Sequence, residues 1–207
     1  MTLSSYKKAS WAKGYRKFDE EAIKRQSWKE YSENLRRITE SFQRQISVLD
    51  VGCGTGRFFC SLMNVDLLYG LDSSEAMLNE AKIPVNKDQV EKNIKEINLV
   101  KADINDLAKV FDLNNGIKFD FIFSIGLLSE YGPTTEISVE FFNDVDLLIN
   151  HGGIVWLSIS KSKECIMKIL EDSNLSKNSK IKFSYLTDDK DTKTIVEIQK
   201  NEKTIIL

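Results

Sequence analysis

The sequence is poor in the residues that build metal sites, disulfide frameworks and membrane spans. One histidine, His151, and three cysteines, Cys53, Cys60 and Cys165, stand among 207 residues. No His/Cys/carboxylate group has metal-ligand spacing, so no metal is expected. An odd cysteine count without a pairing pattern points to a reducing, cytoplasmic compartment. The two prolines, Pro84 and Pro133, both fall in stretches that read as loops. No apolar run is long enough to span a bilayer and no signal-peptide pattern opens the chain, so no membrane association is expected. Net charge is −2, which gives no overall basic field to draw the chain to nucleic acid or anionic lipid. What is present is 42% hydrophobic, without repeat or low-complexity tract, enough for one α/β core with room for an extra helical segment.

The chain is organised around Ser47-Val-Leu-Asp-Val-Gly-Cys-Gly-Thr-Gly-Arg57. This apolar run ending in three glycines predicts a buried strand, a tight turn and a helix starting near Arg57. Glycine at 52, 54 and 56 permits positive φ and lets a ligand approach bare backbone. The N-terminus of the expected helix would aim free N–H groups at the same gap, which calls for something negative or rich in acceptors. The spacing is not that of the dinucleotide fingerprint G-x-G-x-x-G, because the third glycine comes one residue early and Arg57 holds the sixth position. Asp50, just inside the strand, would also repel a pyrophosphate.

D-x-G-x-G-x-G resembles instead the first motif of the class I S-adenosylmethionine (SAM)-dependent methyltransferases. In that family the acid, here Asp50, faces the cofactor's amino-acid end, and the glycines, here Gly52, Gly54 and Gly56, lie beneath it. The second strand, Leu67 to Leu71, ends in Asp72, where a carboxylate suits the two hydroxyls of a ribose. Ser73 or Ser74 then caps the next helix. The third strand, Ile97 to Ala102, ends in Asp103 and Ile104; the resemblance implies that the acid accepts from the adenine amino group and the next residue borders the ring. Asp103 also reads as a cap for a helix over Asn105 to Phe111. A loop or short surface helix is expected over 82 to 96.

The fourth strand, Phe119 to Gly126, is nearly continuous hydrophobe, as a doubly covered parallel strand should be. It delivers Ser124 to Tyr131 to the edge where open α/β sheets bind ligands. Where family members often carry a histidine pair, this chain has Ser129 and Glu130, followed by Tyr131. A helix over Thr135 to Asn150 leads through His151-Gly-Gly153 into strand Ile154 to Ile159. A helix near Glu164 to Asp172 and two strands, Ile181 to Leu186 and Thr194 to Gln199, complete the pattern. Asn201-Glu-Lys203 reads as one more short edge strand.

Ahead of all this, residues 1 to 45 carry eleven Lys/Arg against six Asp/Glu and read as helix. Trp28, Tyr31, Leu35, Ile38 and Phe42 form one apolar stripe, preceded by the aromatics Tyr6, Trp11, Tyr15 and Phe18. Similar segments in small-molecule methyltransferases fold over the cofactor as a lid, which makes Tyr15 and Arg25 candidates for its carboxylate end.

The expected architecture is therefore α/β, a three-layer sandwich with a mostly parallel seven-stranded sheet and a C-terminal antiparallel hairpin, preceded by N-terminal helices. Residues 1 to 45 form the lid segment and 46 to 207 the SAM-binding core of a single domain. The resemblance implies methyl transfer from SAM, with S-adenosylhomocysteine as product, to an oxygen, nitrogen or carboxylate of a small molecule. The work is mainly alignment, which contributes roughly 7 to 11 kcal/mol. Glu130 is the candidate base, with Tyr131 orienting, where the acceptor must lose a proton. Action on RNA or protein, and a SAM-binding module without transfer, are the alternatives. No catalytic tetrapeptide of nucleic-acid amino methylation follows the fourth strand, which argues against nucleic acid. No feature specifies an oligomeric state.

Overall fold

The computed structural model describes residues 8–111, 116–128, 138–188 and 191–202. Helices α1 (Ala9–Ala22) and α2 (Gln26–Ser41) precede the alternation β1 (Ile46–Val51), β2 (Val65–Asp72), α3 (Glu75–Ala81), α4 (Lys87–Asn93), β3 (Ile94–Lys101), α5 (Leu107–Val110), β4 (Phe119–Leu128), α6 (Val139–Leu148), β5 (Ile149–Ile159), α7 (Lys163–Glu171), α8 (Asn174–Lys177), β6 (Ser179–Asp188) and β7 (Asp191–Lys200). The strands form one seven-stranded sheet in the order β3-β2-β1-β4-β5-β7-β6. The first five run parallel and β7 is antiparallel to both neighbours. Because β1 lies between β2 and β4, the strand order reverses beside it, and the carboxyl ends of β1 and β4 flank the switch point where such sheets hold ligands.

Strand alternation sends Val48, Phe121, Phe123 and Trp156 to one face and Leu49, Ile122, Val155 and Leu157 to the other. The second face is covered by Leu107, Phe142, Val145, Leu148, Ile166 and Leu170 from the helices after β3. The first face is covered by α2 together with the β1–β2 link, α3 and α4. Trp28, Leu35 and Ile38 of its apolar stripe are buried, Tyr31 meets Trp156 edge-on at 5.9 Å, and its hydroxyl shares a 2.9 Å hydrogen bond with Ser158 Oγ.

That placement explains a departure from expectation. No α-helix begins near Arg57; a single 3₁₀ turn over Phe59–Ser61 stands there instead, closed by bonds such as Ser61 N to Phe58 O at 2.9 Å. Trp28 stacks on Phe58 at 4.7 Å, Ser61 Oγ donates to Ser32 Oγ, and Met63 N donates to Thr39 Oγ1. With α2 already covering this face, the link from β1 to β2 needs no helix of its own. The donors above β1 are therefore those of the turn itself, without a helix dipole behind them.

Smaller differences have similarly local causes. The segment after β3 divides into a 3₁₀ turn over Ile104–Asp106 and the short α5. Strand β5 extends back through His151-Gly-Gly153 because Ile149 pairs with Phe119 and Asn150 Nδ2 donates to Asp120 Oδ1 at 2.8 Å. Asn201 and Glu202 belong to no strand, and Lys203 lies outside the described residues, as do 135–137 of the expected helix.

Candidate functional site

At the carboxyl end of β1 the chain turns sharply over the tip of β2, with Gly52 N and Cys53 N both donating to Leu71 O, at 2.7 and 2.9 Å. Gly54 and Gly56 take φ of 55° and 73°, a region that disfavours any Cβ. At Gly56 a Cβ would also strike the Phe59 ring at 2.8 Å, whereas at Gly54 it would enter open space. The turn thus presents bare backbone on its outer side and is packed tight on its inner side.

Asp72 joins this turn to the next strand. It is buried, and its Oδ2 accepts from Gly54 N at 3.0 Å while Oδ1 accepts from Ser74 N at 2.8 Å. Of the two serines, Ser74 is the cap of α3, accepting from Met77 N; Ser73 sits half-buried beside it. Asp50 is buried close to Asp72. Burial, reinforced by the Asp72 charge, pushes its carboxyl well above the ordinary carboxylate range. Burial first, and then the charges of Asp50 and Asp72, push the Cys53 thiol up. It stays protonated and serves as a small packing group.

Asp103 stands one strand further out, linked by the bond of Ala102 N to Asp72 O at 3.1 Å. Its exposed carboxylate accepts from Asn105 N and Nδ2 at 3.0 and 2.9 Å, so it caps the 3₁₀ turn, and Ile104 is buried against the core. On the other side of β1, Asp50 pairs with Phe123, and Ser124 follows. Ser124 is fully buried and its hydroxyl has no hydrogen-bond partner among the described residues. Glu130 and Tyr131, the candidate base and orienter, lie outside the described residues.

Helix α1 lies against the glycine turn. Tyr15 is half-buried, tilted against Trp11 at 5.8 Å and Phe18 at 6.2 Å, and faces the Arg57 guanidinium at 5.6 Å. Arg25 lies over the Phe18 ring at 4.6 Å. Sequence reading passed over Asp19, Thr55 and Arg16. Asp19 is fully buried, accepts from Thr55 Oγ1 and pairs with Arg57; burial raises its pKa against the opposing pull of Arg57 and Thr55. Arg16 donates to Thr55 O at 2.9 Å and to Glu80 O. The available signal was positional: Ala12, Tyr15, Asp19 and Ala22 share one face of α1, so an acid occupies a core-facing position.

His151 belongs to none of this. It is exposed at the amino end of β5, where its Nδ1 shares a 3.2 Å hydrogen bond with Asn201 O, as expected for a residue far from the ligand edge. Two open hollows, of about 520 and about 230 Å³, lie beside the α1–α2 junction, the larger bordered by Arg16, Glu80 and Pro84. Neither is lined by Asp50, Asp72 or Asp103. Among the described residues no group of three or more His, Cys, Asp or Glu is arranged to hold a metal ion, and no helix is long and apolar enough to cross a membrane.

Two buried carboxylates beneath a glycine turn make an acidic site that suits a cation carrying hydrogen-bond donors. Solved structures of the same fold hold a ligand of that kind. Magnesium protoporphyrin IX methyltransferase from Synechocystis PCC 6803, solved with bound SAM, is 20% identical over 84% of this chain and 80% of its own, with a TM-score of 0.64. The N-methyltransferase NodS from Bradyrhizobium japonicum WM9, in complex with S-adenosylhomocysteine, is 14% identical over 88% of this chain and 91% of its own, with a TM-score of 0.61. No curated protein matches the sequence. A family profile described as a methyltransferase domain matches residues 42–204. With most of its length matched, including every strand of the sheet, the chain belongs to the methyltransferase-domain family in its class I, Rossmann-like form.

Proposed function

We propose that this protein binds SAM and transfers its methyl group to an oxygen, nitrogen or carboxylate of a small molecule. The observation that carries the reading is the pair Asp50 and Asp72, buried together at adjacent strand tips beneath a glycine turn. Two acids buried so close together are costly to ionise at once unless a cation joins them, and the α-ammonium and sulfonium of SAM supply positive charge. The open side of Gly54 and the Ser124 hydroxyl, without a hydrogen-bond partner among the described residues, fit the same occupant, since both leave room or hydrogen-bonding capacity for it.

In this reading Asp72 accepts from the ribose hydroxyls while keeping its bond to Gly54 N, and Asp50 faces the amino-acid end. Ser124 donates or accepts beside it. Asp103 and Ile104 border the adenine, and Ser73 and Tyr15 close the sides. The cofactor supplies an already electrophilic methyl with a neutral leaving group, so the chain's contribution is to align the acceptor and exclude water. Glu130 takes a proton where the acceptor carries one, with Tyr131 orienting it. One of the two structural neighbours is, by its name, a methyltransferase of a porphyrin, which supports a small-molecule acceptor. Calorimetric titration with S-adenosylhomocysteine tests the reading: absence of binding by folded protein at hundred-micromolar levels would sink it.

A further inference from the structure

Helix α1 holds the glycine turn at two points within Thr55, the residue between Gly54 and Gly56. The Thr55 hydroxyl donates to Asp19, and the Thr55 carbonyl accepts from Arg16 at 2.9 Å. Asp19 also pairs with Arg57, just past the turn, whose Nε donates to it at 2.5 Å. The guanidinium is enclosed by the rings of Tyr15, Phe18 and Trp28, at 5.6, 5.3 and 5.6 Å. On its far side Arg16 reaches Glu80 O at the end of α3, so α1 bridges the turn and that helix.

A turn with glycine at three of five positions has weak intrinsic preference for one conformation, because its residues move freely in φ and ψ. Something outside it must hold the backbone that the cofactor touches. Gly54 N is fixed by Asp72 from the sheet side; the adjoining Thr55 side chain is gripped by Asp19 of α1. A fully buried carboxylate on the entry helix is expensive to desolvate and stays only where its partners are in place. Asp19 therefore ties the docked position of α1 to the ordered shape of the turn.

We propose that Asp19 is a positioning residue for cofactor binding: its clasp on Thr55 and Arg57 preorganises the glycine turn and sets how long the cofactor stays bound. The proposal rests on the SAM reading for its ligand, but its mechanical half does not. In Asp19→Asn the shape is kept while the charge-assisted bonds go. Its S-adenosylhomocysteine affinity should fall by about tenfold or more, the equivalent of one such bond, through faster dissociation. Amide hydrogen exchange across 52–57, read without any ligand, should rise in the same variant. Thr55→Val removes only the hydroxyl and should move both readouts in the same direction by less.

Arg44→Gln is the control. It breaks the Arg44–Asp120 pair, 2.8 Å apart at the opposite end of the sheet, and should leave exchange at 52–57 and ligand affinity at wild-type values. Unchanged exchange at 52–57 in both Asp19→Asn and Thr55→Val overturns the proposal, as does an unchanged ligand dissociation rate in Asp19→Asn. If the wild type binds no S-adenosylhomocysteine, the SAM reading falls, and the ligand-free exchange measurement still decides whether the clasp exists.

Discussion

The backbone N–H of Gly54 donates to Oδ2 of Asp72 at 3.0 Å, so the glycine turn above β1 and the tip of β2 share a single carboxylate. The other oxygen of that group starts α3 by accepting from Ser74 N. One side chain thus ties the turn to the start of the next helix and places an acceptor close to Asp50. Two carboxylate oxygens, each with more than one lone-pair site, can hold these bonds and still accept from a diol.

Asp72→Asn keeps the shape and one acceptor but loses the charge. A hydrogen bond to a charged group contributes roughly 1.5–3 kcal/mol, so S-adenosylhomocysteine affinity should fall by one to two orders of magnitude, measured by titration calorimetry. His151→Ala, at the far end of the sheet, should bind as wild type. Equal affinity in Asp72→Asn would remove the assigned ribose contact.

Asp50 gives a pH-dependent outcome. Its folded pKa is raised above the unfolded value of 3.8. Below 3.8 both states hold the proton and there is no penalty. As pH rises above 3.8 the unfolded state ionises first, so this group costs the ligand-free protein stability up to its folded pKa. A bound ammonium favours the ionised form and lowers that pKa, so ligand binding should release a proton. Calorimetry in buffers of different ionisation enthalpy reads the release directly, and Asp50→Asn should reduce it. Binding heats that do not depend on the buffer would contradict the assignment.

Ser124→Ala separates folding from binding. The buried hydroxyl has no partner among the described residues, so its removal should leave the ligand-free melting temperature unchanged or slightly higher. Ligand affinity should fall by about threefold to tenfold, the loss of one ordinary hydrogen bond. A variant that loses stability and keeps affinity would assign Ser124 to the core instead.

Leu35→Ala tests whether α2 is a layer of the core. Leu35 is fully buried in the cluster that includes Val48, Phe121 and Trp156, and the substitution should cost roughly 2–5 kcal/mol in denaturant unfolding. The loss should come as a lower midpoint with one cooperative transition. A second, separate transition would mean that α2 unfolds independently of the sheet.

The sequence by itself determined the alternation of strands and helices, the glycine turn and the acid at each of three strand tips. These are local signals: apolar runs long enough to be buried strands, closed by a glycine or by a carboxylate that caps the next turn. The C-terminal hairpin was legible for the same reason, as two β-rich runs separated by a short polar link. Only the tertiary structure decided that α2 covers the face above Phe121 and Trp156, and hence that a 3₁₀ turn suffices after Arg57. It also decided that Asp19, on a helix 36 positions before its hydroxyl partner Thr55, is buried at the glycine turn. Periodicity reports that a face is apolar and nothing about which surface it meets. A charged residue is stable in the interior only when groups distant in sequence arrive to pair with it, and that arrival is settled by the assembled fold.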